Sequence, residues 1–427
     1  MEKPGPVRGT DDILPPQMQR FRIVIETARK WAELYGYSEI ATPIFEFTET
    51  FRRTLGETSD VVSKEMFSFQ DRGRREITLR PEHTAGIVRA VISNGLTNQF
   101  PLKIFAQGPA FRQERPQKGR RRQFHQFDVE VLGVQSPMAD VEAIILAHEI
   151  LVDLGVRRDT TLFINTLGDS VSRADYSAQL KNYFGAHFSE LSEDSRARLD
   201  RNPLRILDSK DAGDRALIDN DKMPRMQETL NSSSKKFFDE VRTGLREADV
   251  GFRWDKHLVR GLDYYTHTAF EFKAVGLGAQ GTVLAGGRYD GLVKLMGGPS
   301  APGVGWAAGI ERLSELLLRA EHRVPPPPLA LIPETEADEA VAKKLAKDLR
   351  AKNYMVDLGF SGNRNKRLDR AKRKGAAVAI FVGDHEYGRE NAKVWDLENG
   401  KVGSYTFDQL ARKLSKYKRR RTKKSAP

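Results

Sequence analysis

The sequence predicts an α+β protein in two parts: an antiparallel sheet backed by helices and interrupted by a helical insertion, then a small α/β domain. Three observations carry this. FHQFDVEVLG alternates apolar Phe127, Val129 and Val131 with polar Gln126, Asp128 and Glu130, as in a strand with two unlike faces. Between about 170 and 245 the composition turns charged and helix-forming (RADYSAQLKNYFGAHF, SSSKKFFDEVRTGL) with few strand signals. A proline run, Pro325 to Pro328, follows an amphipathic segment and precedes a fresh apolar stretch, LALIP, as a stiff linker would. The 427 residues exceed what one hydrophobic core holds. The expected parts are residues 1–325, with an insertion at 170–245, and residues 329–427.

Taken in order, Phe21, Ile25, Ala28, Ala32 and Tyr35 recur at helical steps and predict an opening helix. FSFQDRGRREITLR predicts a hairpin turning at Arg72 and Gly73. KIFAQGPAFRQE and FHQFDVEVLG predict strands flanking a basic loop, RPQKGRRR, and strand character returns at AFEFKAV and GTVLAGG. GVGWAAGIERL predicts a glycine-rich strand leading into a helix. Its spacing does not fit a dinucleotide fingerprint, and the proline linker stands where the next strand of such a fold would be. Past the linker come a strand (LALI), a helix marked by Ala337, Val341, Leu345 and Leu349, a strand (YMVDLGF), a basic helix (NKRLDRAKRKG) and two more strands (AVAIFVG, AKVWDL). No fixed repeat is visible.

Composition narrows the chemistry. Hydrophobic residues make up 39% and charged residues 30%, enough apolar surface to fold. Cysteine is absent, which excludes disulfides, thiolate zinc sites and cysteine nucleophiles; the eight histidines form no HExxH, so no zinc is expected. No run approaches the ~18 apolar residues of a membrane span, and the opening lacks a signal-peptide core, so a soluble, cytoplasmic protein without membrane contact is expected. The net charge is +12, but nine Lys or Arg and no acid lie from Arg412 onward, leaving about +3 elsewhere. Such a tail is a solvated end or a nonspecific polyanion contact.

On the strand before the basic loop, period two places Ala106, Gly108, Ala110, Arg112 and Glu114 on one face. With Gln126 and Glu130 beside it, this is either a half-solvated strand face or a floor for a ligand with anionic and cationic ends. The loop holds Arg115, Lys118, Arg120, Arg121 and Arg122, either a solvated surface or a phosphate contact. HLVRGLDYYTHTAFEF gathers Arg260, Asp263, Tyr264 and Tyr265 around Gly261, and GGRYDGL sets glycines about Arg288, Tyr289 and Asp290. These are either structural turns or places where backbone comes close to a ligand.

VRGTDDILP, TLRPEHTAG, FRQERPQKGRRRQFHQFDVEVLG, LRILDSK, VRGLDYY, GGRYDGL and GVGWAAGIERL, in this order over nearly the whole chain, resemble the histidyl-tRNA synthetases, a class II aminoacyl-tRNA synthetase family. The resemblance implies an antiparallel class II catalytic domain with a helical insertion, an anticodon-binding α/β domain at 329–427 and a homodimer. It implies ATP-dependent activation of L-histidine to histidyl-adenylate, with Mg2+ accompanying ATP, and transfer to the 3′ end of the histidine tRNA. By motif, Arg260 and Arg112 would be catalytic, Arg112 holding the α-phosphate. Phe124 and Arg312 would sandwich adenine, with Glu114 near its edge. Glu130 and Tyr265 would grip the imidazole, Glu82, Thr84 and Gln126 the amino and carboxylate ends, and Tyr264 and Tyr289 would close the pocket. Gln117, Arg120 and Arg122 would face the acceptor stem, and Arg364, Lys366, Arg367 and Arg370 an RNA backbone. Two rivals are a noncatalytic regulatory paralogue of histidine biosynthesis, against which stand Arg112, Arg260, Arg312 and the domain after Pro328, and an RNA-binding protein on the same scaffold, against which stand the intact pocket residues.

Overall fold

The computed structural model describes residues 4–56, 59, 61–114, 120–259, 264–274, 281–318, 326–383 and 391–418. It divides into two units, residues 1–322 and 323–427. The first contains strands β1 (Ser38–Glu39), β2 (Phe45–Phe47), β3 (Phe67–Gln70), β4 (Glu76–Leu79), β5 (Leu102–Phe111), β6 (Gln123–Leu132), β7 (Thr160–Thr166), β8 (Arg253–Trp254), β9 (Thr266–Ala274), β10 (Thr282–Arg288) and β11 (Gly303–Gly309). Eight of them form one sheet in the order β1-β5-β6-β11-β10-β9-β7-β8. It is antiparallel from β5 to β7 and parallel in its two short edge pairs. Strands β2, β4 and β3 make a separate small sheet.

Helix α1 (Pro15–Leu34) buries Phe21, Val24, Ala28 and Ala32, so its apolar stripe passes through Val24, while Ile25 is half-buried. Helices α2 (Thr48–Leu55), α3 (Thr84–Ser93) and α4 (Pro137–Asp153) follow. No periodicity announced α4, because it buries Ala143, Ile144, Leu146, Ala147, Ile150 and Leu151 around much of its circumference. Its residues and those of α1 cover the apolar face of β6, where Phe127 is fully buried between Phe105 and Trp306. Burying such a side chain contributes about 1.5–3 kcal/mol. The opposite face carries a second core, with Ala106, Ile87 and Val88 beside Tyr264, Tyr265 and Tyr289.

The hairpin of β3 and β4 closes over Asp71–Arg75 rather than at Arg72 and Gly73 alone. Asp71 accepts from the backbone N–H of Arg75 at 2.9 Å and Arg74 takes a left-handed φ of 61°, which fixes the longer loop. Within 170–245 lie helices α5 (Ser170–Ala186), α6 (Glu193–Leu199), α7 (Ala212–Ile218), α8 (Met226–Thr229) and most of α9 (Ser232–Glu247). The first four share a core around Tyr176, Leu180, Phe184, Ile218 and Met226. Helix α9 instead sends Phe238, Val241 and Leu245 into the core beneath the main sheet. Short α10 (Leu292–Leu295) and α11 (Ile310–Leu316) complete the unit.

The second unit has strands β12 (Leu329–Pro333), β13 (Val356–Leu358), β14 (Val378–Val382), β15 (Asn391–Asp396) and β16 (Val402–Thr406) in the order β13-β12-β14-β15-β16. Helices α12 (Glu339–Ala351), α13 (Arg364–Arg373) and α14 (Phe407–Lys413) belong to it. Ala337 falls in a short 3-10 turn before α12, where Asp338 accepts from the Thr335 N–H at 3.0 Å. Strand β16 and α14 gave no sequence signal: β16 is an edge strand whose residues alternate between exposed and half-buried. No described helix is long and apolar enough to cross a membrane.

Candidate active site

The site lies on the polar face of β6. Because the strand alternates, Gln126, Asp128 and Glu130 point away from the α1 and α4 layer; Asp128 and Glu130 are buried there, while Gln126 is half-buried. Glu130 is 1% exposed. One of its carboxylate oxygens accepts from the Thr84 hydroxyl at 2.6 Å, and the other accepts from the Tyr289 hydroxyl. Burial raises its pKa to about 8, against the lowering effect of those two donors. Glycines make room for this arrangement. A Cβ on Gly305 would stand 1.7 Å from the Glu130 carboxylate, and one on Gly303 would stand 2.2 Å from the Tyr289 ring.

Helix α3 sets the second acid. Glu82, 4% exposed, accepts from the Thr84 and Ala85 N–H groups at 2.7 and 2.9 Å, so it neutralises the free donors of the helix start. Burial nevertheless pushes its pKa upward. Tyr264 and Tyr265 lie with ring centroids 4.6 Å apart, and Tyr264 meets Tyr289 edge-on at 5.6 Å. The three rings form an apolar wall with polar tips, which suits a flat, hydrogen-bonding ligand group. Arg173 of α5 donates to the Tyr265 carbonyl at 2.9 Å, so the insertion braces this wall. Arg288, fully buried, pairs with Asp140 of α4 and with Asp290 at 3.0 Å, anchoring the backbone that carries Tyr289.

A cavity of about 240 Å3 opens beside this floor, lined by Arg112, Glu114, Arg120, Phe124, Gln126 and Arg312 among others. Arg112 lies over the Phe124 ring at 5.3 Å and donates to the Pro81 carbonyl at 3.0 Å. Arg312 enters from α11, donating to the Thr282 carbonyl; burial first, then Arg120, lowers its pKa. Glu311 accepts from the His125 backbone N–H at 2.9 Å and locks α11 to β6. Arginines around an aromatic face form a site for a phosphate-bearing ring.

The structure therefore brings Glu82, Thr84, Gln126, Glu130, Tyr264, Tyr265 and Tyr289 into one cluster and Arg112, Glu114, Phe124 and Arg312 into an adjoining cavity. Arg120 stands at that cavity too, ion-paired with Glu114 at 2.7 Å, and the Arg122 carbonyl accepts from the Arg112 N–H at 2.9 Å. Arg260 and Gln117 lie outside the described residues. Arg121, one of the basic-loop arginines, lines the cavity paired with Asp11, while sequence reasoning passed over Asp128, although period two already placed it between Gln126 and Glu130. In the second unit Arg367 is turned inward, bound by Glu339 at 3.1 Å and by the Gly359 and Gly362 carbonyls. Of the other three cations expected there, Arg364 and Lys366 are exposed and Arg370 is half-buried.

Comparison with known proteins covers nearly the whole chain. Residues 9–313 match the family model described as histidyl-tRNA synthetase, and residues 329–417 match that of an anticodon binding domain. A histidine–tRNA ligase of Rhodospirillum rubrum is 54% identical over 96% of this chain and 99% of its own. One of Gluconacetobacter diazotrophicus is 51% identical over 95% of this chain and 97% of its own. The crystal structure of apo histidyl-tRNA synthetase from S. aureus superposes with a TM-score of 0.78 at 33% identity, covering 97% of this chain and 99% of that one.

Proposed function

The chain belongs to the histidyl-tRNA synthetase family, and from that premise we propose how its residues divide the work. It is an aminoacyl-tRNA ligase of the class II fold that joins histidine to tRNA using ATP. The observation that carries the residue assignment is the buried Glu130, held by Thr84 and Tyr289 beneath the tyrosine wall.

In the first step a carboxylate oxygen of histidine attacks the α-phosphorus of ATP, the bond to the β-phosphate oxygen breaks, and pyrophosphate leaves. Glu130 and Tyr265 hold the imidazole nitrogens, which a phenylalanine or leucine side chain would leave stranded; a site built to pair buried polar groups discriminates far better than one that only fits a shape. Glu82, Thr84 and Gln126 hold the amino and carboxylate ends, and Tyr264 and Tyr289 close over them. Phe124 and Arg312 take the adenine between them, Glu114 lies at its edge, and Arg112 binds the α-phosphate. Arg260, assigned by its motif alone, neutralises the charge that builds on that phosphate. In the second step the 3′-terminal hydroxyl of the tRNA attacks the carbonyl carbon and AMP leaves. Gln117, Arg120 and Arg122 meet the acceptor stem, and Arg364, Lys366 and Arg370 the far end of the tRNA. Mg2+ enters with ATP, carried on phosphate oxygens.

The working form is a homodimer in the cytoplasm. The small sheet supports this: Phe45, Phe47 and Phe69 stand roughly half exposed on one apolar face, while the other face is tied by Thr48, Thr78 and Ser68 hydroxyls. A monomer would leave that patch in water. A crystal structure with a non-hydrolysable histidyl-adenylate analogue tests the assignment. Imidazole between Glu130 and Tyr265 with adenine between Phe124 and Arg312 is expected; either group elsewhere overturns it.

A further inference from the structure

Asp128 is the acid in the floor that the assignments above do not use. It is 1% exposed, and neither of its carboxylate oxygens has a hydrogen-bond partner among the described residues. The side-chain oxygen of Gln126, next on the same face, is also buried without a partner. Glu130 and Glu82 are by contrast already engaged by hydroxyl and backbone donors. Two adjacent acceptors left without partners in a buried floor fit a compact ligand donor, since buried polar atoms are nearly always paired.

The surroundings say what kind of donor fits. The residues paired with Asp128 on the neighbouring strands are both small, Ala106 on β5 and Ala307 on β11. The charges that face it are Arg80 and Glu82 before α3, Arg112 past the end of β5, and Glu130 on its own strand. Arg80 is committed elsewhere, donating to the carbonyls of Pro109 at 2.8 Å and Thr42 at 3.0 Å. Burial, followed by the two neighbouring acids Glu130 and Glu82, raises the Asp128 pKa well above the usual carboxylate value, and a cation beside it would oppose that shift. An ammonium, with three donors and a full positive charge, matches this set.

We propose that the Asp128 carboxylate is a further acceptor for the α-ammonium of the bound amino acid, beside Gln126 and Glu82. The inference rests on the histidine pocket described above and deepens it, making Asp128 a substrate-binding residue that reads the free amino group.

Calorimetric titration of the full chain with histidine, histidinol and imidazolepropionate, compared between wild type and Asp128→Asn, tests it. The first two ligands carry the ammonium and the third lacks it. The expected result is at least a tenfold loss of affinity for histidine and histidinol with less than a twofold change for imidazolepropionate. An equal loss for all three, or no loss for histidine, would overturn the proposal. Should Asp128→Asn fail to fold, Asp128→Ser carries the same three-ligand comparison. Wild-type protein that bound none of the three would remove the histidine pocket itself and this inference with it, whereas wild-type binding with an indifferent variant would remove the inference alone.

Discussion

Strands β6 and β14 each sit inside a sheet and are buried for opposite reasons. All five residues of β14, Val378 to Val382, are apolar and buried, and both faces are packed. Strand β6 buries Phe127, Val129 and Val131 on one face and Asp128 and Glu130 on the other. Burying a carboxylate without a full set of partners costs free energy that packing elsewhere must offset. The comparison teaches where recognition sits in each unit. The first unit keeps acids in its interior, while in the second some cations lie over aromatic rings, as with Arg364 over Phe381 and Lys372 over Trp395.

The comparison breaks most easily at the support of the polar floor. Arg288→Ala would strand Asp140 in the interior and should cost about 3–5 kcal/mol of stability. Denaturant unfolding of the variant should show the first unit destabilised with the second unchanged; a loss shared by both units would contradict separate cores. Next in size, Arg260→Ala should lower the rate of adenylate formation by about 100- to 1000-fold, the scale of losing one donor to a developing charge. Rapid-quench measurement checks it, with the histidine dissociation constant moving only a few-fold.

Glu130→Gln sharpens the comparison in a third way. It should reduce selection of histidine by about 10- to 100-fold on loss of a buried hydrogen-bonding partner, measured by competition between histidine and other amino acids. It also changes the response to pH. In the unfolded chain Glu130 ionises near pH 4.5, and in the folded protein near 8. Between these values the folded state holds the extra proton, so stability falls as pH rises through that window and levels off above it. The variant should lack this contribution, so urea unfolding at pH 5 and pH 8.5 should show the difference between variant and wild type moving in the variant's favour at the higher pH. The smallest effect belongs to the second unit: replacing Arg364, Lys366 and Arg370 with alanine should weaken tRNA binding and flatten its salt dependence while leaving pyrophosphate exchange intact.

How much of this was legible in the sequence follows from the same contrast. Alternation exposed β6 and its two faces, because period two is written directly in FHQFDVEVLG. Helix α4 was not legible, since burial around much of its circumference erases periodicity. The glycines of GGRYDGL signalled close approach, whereas those of GVGWAAGIERL read only as a glycine-rich strand; the structure shows Gly303 and Gly305 leaving room for Tyr289 and Glu130. Asp128 had the right spacing and was passed over, because spacing reveals a face and not which of its groups lack partners. Roles such as that of Arg260 came from motif resemblance and from no local physical signal.

The most direct test of the account is ATP–pyrophosphate exchange on the purified protein, with each of the twenty amino acids supplied singly. Exchange supported by histidine alone is the predicted result, since only its side chain pairs the buried groups around Glu130. Exchange with no amino acid, or equally with several, would contradict the account and return the arginine and glutamate assignments to open question.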